Sequence, residues 1–494
     1  MEVLFESRRD IVQIAGKVHA VQHPPKVSDE PVLGPDSPAD GAGTTIYGSV
    51  LRDEGCYRMW YQAWPQDWNG EDTALVGYAE SDDGWCWRKP RLGVVGYGND
   101  LSNLCDLGLH SPSVFIDPEA PPSHRYRATG CCGPRHLGRN PAVSGAGYYT
   151  AHSADGLHWT LDSSDPTWRS ADVITSIYHP GRRQGLVALK YSPRVRGIKR
   201  RSIWTAVLEG GRWSDPLTAL IPDDFDDVCA VSRGYASGDY YGMAMLPACR
   251  STIGFVWQFR HLLPRTPGSE IGVFGHVDVS LAYQPEPGGR WLHQAGRPDF
   301  ISHALVPWGR GGIYTSSGPV EVRDEHWLYI CGVTESHAWY LNERWQLLNG
   351  RREDLIRRGI GRIGVARWPK YRLFGLEADP TGYVDLDLGI IERDSELVLN
   401  YTTRAGGSIT VELLGNHLTQ PGGYLAVAPL SDFQTLEGHS RGEAIPLDSE
   451  SVDQVVAWRG GAVLRGDAAR AVTARLHLEQ ATVYAFDIRP MDPV

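Results

Sequence analysis

Two stretches, VGYAESDDGWCW at residues 76–87 and YYTAHSADGLHW at residues 148–159, share one plan: a short β-rich run, a Ser-x-Asp-Gly turn, and a tryptophan three residues after the glycine. Asp and Gly suit a tight hairpin turn, and the tryptophan that follows has the size to pack against a neighbouring sheet. Looser copies are SIWTAVLEGGRW (202–213), VSLAYQPEPGGRW (279–291) and, degenerate, RIGVARWPKYRLFGLEA (362–378). Their tryptophans, Trp87, Trp159, Trp213, Trp291 and Trp368, step by 72, 54, 78 and 77 residues. A unit averaging about 70 residues has the length of a four-stranded propeller blade with generous loops.

Each copy follows two further strand-like runs, as a blade requires. The first runs, expected to be innermost, are TTIYGSVL (44–51), SPSVFID (111–117), DVITSIYH (172–179), YYGMAMLP (240–247) and GIYTSSGPVEV (312–322). The second runs are YRMWYQAW, RYRATGCC, QGLVALKYS, IGFVWQF and HWLYICG. The expected fold class is therefore all-β: a five-bladed β-propeller over residues 1–378, followed by a β-sandwich over 379–494, where SELVLNYTT, GSITVELLG, VDQVVAW, VTARLHLE and TVYAFDI alternate like half-buried strands. The N-terminal VLFESRRDIVQIAGKVHAVQHP supplies a strand either to the last blade or to the C-terminal module. LNERWQLLNGRREDLIRRG (341–359) is the best candidate helix.

Composition narrows the partners. The 494 residues carry 48 Lys and Arg against 59 Asp and Glu, a formal charge of −11, so a polyanion has no general attraction and nucleic acid is not an expected partner. The N-terminus lacks a signal-like apolar core and nowhere do 18 apolar residues run together, so the sequence reads as cytoplasmic with no membrane partner. Seventeen Trp and 22 Tyr against 10 Phe suit wet, sugar-like surfaces as well as cores. Cys56, Cys86, Cys105, Cys131, Cys132, Cys229, Cys249 and Cys331 show no zinc spacing and read as reduced packing residues. No P-loop, Rossmann fingerprint or GxSxG elbow occurs, and no sequence signal fixes the oligomeric state.

LFESRRDIVQIAGKVHAVQHPP, YGSVLRDEGCYRMWYQ, YAESDDGWCWRKPRLG, HSPSVFIDP, KYSPRVRGIKRRSI, YYGMAML, HVDVSLAYQ, LVLNYTTRAGGSITVELL and VVAWRGG together resemble the five-bladed propeller proteins related to glycoside hydrolase families 32, 43, 62 and 68. The likeness is greatest to a bacterial branch with an appended C-terminal sandwich. The resemblance implies cleavage or transfer of a small glycoside by acidic residues around the axial funnel, no required cofactor, and room for a structural calcium or sodium ion. The chain has no WMNDPNG, RDP or ECPD motif.

A propeller turns the starts of its inner strands toward the axial pocket, so candidates are sought there. Glycoside cleavage needs a proton donor and a base or nucleophile, about 5 Å apart for retention and about 6.5–9.5 Å for inversion. Asp106 and His110 precede the second inner strand, against the alternative of a loop carboxylate and a structural histidine. Asp172 opens the third, against a turn-capping role. The fourth follows DDFDDVCAVSRGYASGDYYGM (223–243), an acidic run read as mostly solvated, from which Asp239 is the preferred acid, with Arg233 and Tyr241 as substrate contacts. The fifth offers Trp308, Arg310, Tyr314, Glu321 and, after its second strand, His337. Arg310 stands where the resembled sequences often carry Asp. Tyr47, on the first inner strand, completes the contacts.

On this reading Asp106 or Asp172 is the base, and Asp239 or Glu321, its pKa raised by burial, the acid. KYSPRVRGIKRRS (190–202), dense in Lys and Arg, is taken as a solvated hairpin loop rather than an entrance for acidic sugars or phosphate. The alternatives to a glycosidase are a non-catalytic carbohydrate-binding propeller and an enzyme tailoring sugar-containing natural products. Paired carboxylates across the funnel favour hydrolysis; one or none favours binding.

Overall fold

In the computed structural model the two Ser-x-Asp-Gly turns carry the same hydrogen bonds. The Ser81 and Ser153 hydroxyls accept from the amides of Gly84 and Gly156 at 2.9 Å, while Asp83 Oδ1 takes Trp85 N and Cys86 N, and Asp155 Oδ1 takes Leu157 N and His158 N. Gly84 (φ 77°) and Gly156 (φ 80°) hold the left-handed backbone that closes each turn. The tryptophans then reach the next blade. Trp87 meets Tyr329 edge-on at 5.5 Å, Trp213 meets Phe115 at 6.3 Å, and Trp291 is buried beside Ile177, Leu186 and Met243. Trp159 packs with the Trp60, Tyr78 and Tyr126 cluster that joins the first two blades.

The structure describes residues 3–68, 73–98, 100–134, 140–170, 172–248, 250–264, 272–338, 360–417 and 430–491. The helix expected at 341–359, and Cys249, lie outside them. The described residues divide into two compact units.

The described residues of 25–247 and 252–367 form one two-stranded ribbon, Arg194–Val195 with Ile198–Lys199, and five antiparallel blade sheets. Their innermost strands are Gly43–Asp53, His110–Ile116, Ile174–His179, Ser237–Ala248 and Gly312–Thr315, and their second strands Cys56–Trp64, Tyr126–Cys132, Gln184–Tyr191, Ser251–His261 and Glu325–Val333. All ten fall within or overlap the runs read from the sequence, except that GIYTSSGPVEV, read as one strand, is divided into Gly312–Thr315 and a separate short strand Val320–Val322. Lys26–Val27 pairs with Ala366 and Arg367 and supplies the outer edge of the fifth sheet. Hydrogen bonds between neighbouring inner strands run round the axis: Val114 N to Ser49 Oγ, Ser176 N to Ser113 Oγ, Thr175 Oγ1 to Met243 O, Met245 N to Ser317 O, and Ser317 N to Gly48 O. The ring is a closed five-bladed propeller.

The second unit holds residues 1–24, 248–251 and 368–494. It is one antiparallel sheet of eight strands, in the order Ile11–Gln22, Phe374–Ile390, Arg470–Pro490, Ser395–His417 and Gln434–Thr435, with three short strands beside it. The N-terminal strand thus belongs here. Runs that read as separate strands are fused: SELVLNYTT and GSITVELLG are one strand interrupted between Thr403 and Ser408, where Gly406 takes φ 79°. Such a break lets a long strand turn without ending.

The acidic run at 223–243 departs from its reading as solvated chain. Asp224–Val231 is a helix closed by a capping box between Asp223 and Asp226, and Asp226 is buried, accepting from Tyr240 Oη at 2.5 Å. Among the described residues no helix is long and apolar enough to cross a membrane.

Candidate axial site

Four inner strands and the residue two places before the third, Asp172, bring one side chain each to a common cluster. Tyr47 faces Tyr314 at 5.1 Å between ring centroids and His110 at 5.7 Å, and Tyr314 faces Tyr241 at 5.6 Å. The Tyr241 hydroxyl donates to Asp172 Oδ1 at 3.2 Å. The five blades therefore contribute Tyr47, His110, Asp172, Tyr241 and Tyr314 to one cluster. Tyr47, Tyr241 and Tyr314 are buried, whereas Asp172 keeps 31% of its side chain open. Burial and the surrounding phenols and carboxylate push the Tyr47 phenol far above its ordinary range, so it stays protonated.

Cations gather beneath this carboxylate. Lys190, on the second strand of the third blade, pairs with Asp172 and lies 4.6 Å from the centre of the Tyr241 ring. Burial pushes the Asp172 carboxyl up, but Lys190, by charge and hydrogen bond, and then Arg201 and His337 pull it further down, so it lies below the ordinary carboxylate range. Arg201 stacks over Phe259 at 4.2 Å and Tyr241 at 5.7 Å. His337 is held from the other side: Nδ1 is 2.6 Å from Val273 O and Nε2 3.0 Å from Tyr241 Oη. Desolvation first, and the Arg201 charge second, lower His337 to about 4, so its imidazole is neutral near pH 7.

These cations correct the reading of residues 190–202 as a solvated loop. Lys190, Arg200 and Arg201 are all buried. The buried run Leu186–Leu189 simply continues into Lys190, whose ammonium finds Asp172, while Arg200 Nε donates to Asp239 Oδ1 at 2.7 Å. Asp239 is wholly buried; its Oδ2 accepts from His261 Nε2 at 2.9 Å and has Arg201 at 3.7 Å. It is a counter-ion behind the cluster, with no surface a ligand can touch.

The remaining sequence candidates stand elsewhere. Asp106 is exposed, accepts from Trp159 N at 2.7 Å, and lines a separate cleft of about 510 Å³ with Trp68, Thr73, Tyr97 and Asn140. His110 links the two places, its Nδ1 donating to Thr73 O at 2.9 Å. Glu321 lies on the short strand Val320–Val322 with 56% of its side chain exposed, and so lacks the burial that its expected role as acid requires. Arg233 is exposed and donates to Cys229 O at 2.9 Å, tying down the chain after the short helix. Trp308 packs on Gly332 and Gly364, where an added Cβ would come within 2.5 and 2.4 Å of its ring. Arg310 is exposed.

Sequence reasoning missed Lys190 and Arg201. The available signal was a cation ending a fully apolar strand run, which must be paired if it folds inward. Among the described residues no group of three or more His, Cys, Asp or Glu side chains converges as a metal set.

No family model matches the chain, and no curated protein matches it. Among solved structures it is similar to the β-1,2-mannobiose phosphorylase of Listeria innocua (10% identity, TM-score 0.42, covering 70% of this chain and 96% of that one). It is also similar to a GH32 β-fructofuranosidase of Bombyx mori (11%, 0.39, 95% of each chain). A third is the exo-β-1,3-galactanase of Phanerochaete chrysosporium (9%, 0.38, 92% of this chain and 100% of that one).

Proposed function

We propose that the chain is a glycoside-acting enzyme working at the axial end of its propeller, with Asp172 as the carboxylate that meets the sugar. The observation that carries this reading is a part-open carboxylate at a point to which all five blades send a side chain, held by Lys190 and Tyr241. An anion stabilised in this way serves as base or nucleophile and not as proton donor. Tyr47, Tyr314 and His110 supply phenol, imidazole and aromatic surface for a polyhydroxylated ring, and Lys190 with Arg201 sets the charge of Asp172. Asp239 fits a supporting part, fixing Arg200 and His261 behind them.

The test is turnover of a panel of nitrophenyl glycosides and unmodified disaccharides by the full chain and by Asp172→Asn. Loss of a carboxylate base or nucleophile is expected to lower kcat/KM by about 100-fold or more, with the melting transition still cooperative. An Asp172→Asn protein that turns over a competent substrate at the wild-type rate sinks the assignment.

A second reading, a carbohydrate-binding propeller without catalysis, is favoured by one observation: of the four acids expected from the sequence, the cluster contains only Asp172, with Asp239 sealed behind it. Sugar binding that disappears in Asp172→Asn, from a wild-type chain that turns over nothing on the panel, selects this reading.

A further inference from the structure

Hydrogen-bond accounting at Asp172, Tyr241 and His337 leaves one proton for two acceptors. A carbonyl oxygen only accepts, so the 2.6 Å contact to Val273 O fixes the His337 proton on Nδ1 and leaves Nε2 as an acceptor. The carboxylate of Asp172 likewise only accepts. Tyr241 Oη stands 3.2 Å from Asp172 Oδ1 and 3.0 Å from His337 Nε2 but carries a single hydrogen. Both bonds cannot be made at once, and the two distances are nearly equal.

We propose that Tyr241 is a two-position proton donor and that the pocket uses it to recognise a vicinal diol. One ligand hydroxyl donates to Asp172 Oδ1, whose side chain is 31% open; the Tyr241 proton turns to His337 Nε2; the phenolic oxygen, no longer donating to Asp172, accepts the adjacent ligand hydroxyl. No bond is broken, and each of the three protons keeps its own oxygen. The separation of Asp172 Oδ1 and Tyr241 Oη, 3.2 Å, is close to that of two oxygens on neighbouring carbons, so a diol lies across both atoms. His337 is then a positioning residue that never touches the ligand. The consequence for substrate class, a sugar presenting two adjacent free hydroxyls, rests on the glycoside reading above; the proton switch itself does not.

The experiment uses the full chain labelled with ¹⁵N-histidine, with the His337 resonances assigned through His337→Gln. At neutral pH the expected tautomer has hydrogen on Nδ1 and an accepting Nε2. Removing the competing acceptor with Asp172→Leu, which has no acceptor at all, moves the Nε2 resonance upfield, toward stronger hydrogen bonding, and the same substitution in a Tyr241→Phe background does so far less. A proton on Nε2, or an equal shift in both backgrounds, overturns the switch, because the coupling then passes through charge alone.

Saturating 1,2-propanediol is expected to reproduce the upfield shift in the wild type and not in Tyr241→Phe, while 2-propanol leaves the resonance in place. A diol that leaves it in place when Asp172→Leu moves it overturns the recognition claim. Failure of the glycoside reading appears separately, as absence of turnover with an intact switch.

Discussion

The propeller axis has two levels built from the same five strands, and they differ in kind. At the mouth stand Tyr47, His110, Asp172, Tyr241 and Tyr314, large side chains with polar tips, around a carboxylate that is 31% open. A few residues further along the same strands come Ser49, Ser113, Ser176 and Ser317, all within 2% of full burial. Their hydroxyls bond one another, Ser49 to Ser317 and Ser176 to Ser113 at 3.0 Å, and also capture the amides of Val114 and Ser176. Where the strands converge only small side chains fit, and hydroxyls satisfy backbone donors that water cannot reach. Where they diverge there is room for bulk, and the chain fills it with groups that are poor at packing but able to meet a ligand. The closed level is expected to hold the fold, and the open level to give up stability for chemistry.

The largest effect should come from the closed level. A Cβ at Gly48 would lie 1.8 Å from Trp60 O and 3.2 Å from Pro112 O, both backbone atoms that cannot move aside. Gly48→Ala is expected to cost about 3 kcal/mol or more, seen as a large fall in the melting temperature or as loss of folded protein on expression. A wild-type melting curve would show that the inner strands are not packed this tightly.

At the mouth, the ion pair of Asp172 and Lys190 gives the counter-case. Asp172→Asn and Lys190→Met should each lose about 2 kcal/mol in urea unfolding, less than a sealed pair would, since Asp172 is 31% open. The double variant should recover about 1 kcal/mol or more of their sum, because the cost of each single change is mainly the charge left behind. Strict additivity would mean that the two residues are not coupled. Back in the ring, Ser113→Ala removes the acceptor of Ser176 N, 2.6 Å away, and should cost about 1–2 kcal/mol for one buried donor left without a partner.

Much of this architecture is written in short sequence patterns. Tyr-Gly-Ser at 47–49, His-Ser-Pro-Ser at 110–113 and Tyr-Thr-Ser-Ser at 314–317 each run from a large mouth residue to small axial ones. The Ser-x-Asp-Gly turns announced the blades because their hydrogen bonds are local and need nothing from the rest of the fold. The site was only half legible. Position on or just before an inner strand placed Tyr47, His110, Asp172, Tyr241 and Tyr314 together, whereas Glu321 falls on Val320–Val322, past the end of the inner strand Gly312–Thr315 and hairpinned to Glu325–Val333, and Arg233 folds back onto Cys229 after the short helix. Lys190 and Arg201 were missed because a basic run looks solvated until a buried carboxylate from another strand faces it. The fusion of paired runs into the long strand Ser395–His417 was hidden by Arg404–Gly407, which reads as a turn but serves as a break within one strand.

The smallest effect is a pH slope, and it separates the levels by chemistry instead of packing. The serine ring has no group that titrates, so only the mouth can make stability depend on pH between 4 and 7 along the axis. His337 falls from 6.5 to about 4 on folding. Between those values the unfolded chain binds one more proton at this position than the folded chain, so stability rises with pH across that window. Asp172 faces the same imidazole through Tyr241, and its carboxyl is held below 3.8 mainly by Lys190; it therefore adds its own loss at lower pH, below the His337 window. His337→Gln should flatten the dependence of unfolding free energy on pH between about 4 and 6.5 by up to one proton, and Ser113→Ala should leave that slope unchanged while lowering the whole curve. If His337→Gln retains the wild-type slope, the imidazole is not held neutral by its surroundings, and the mouth loses the accepting nitrogen on which the two-position tyrosine depends.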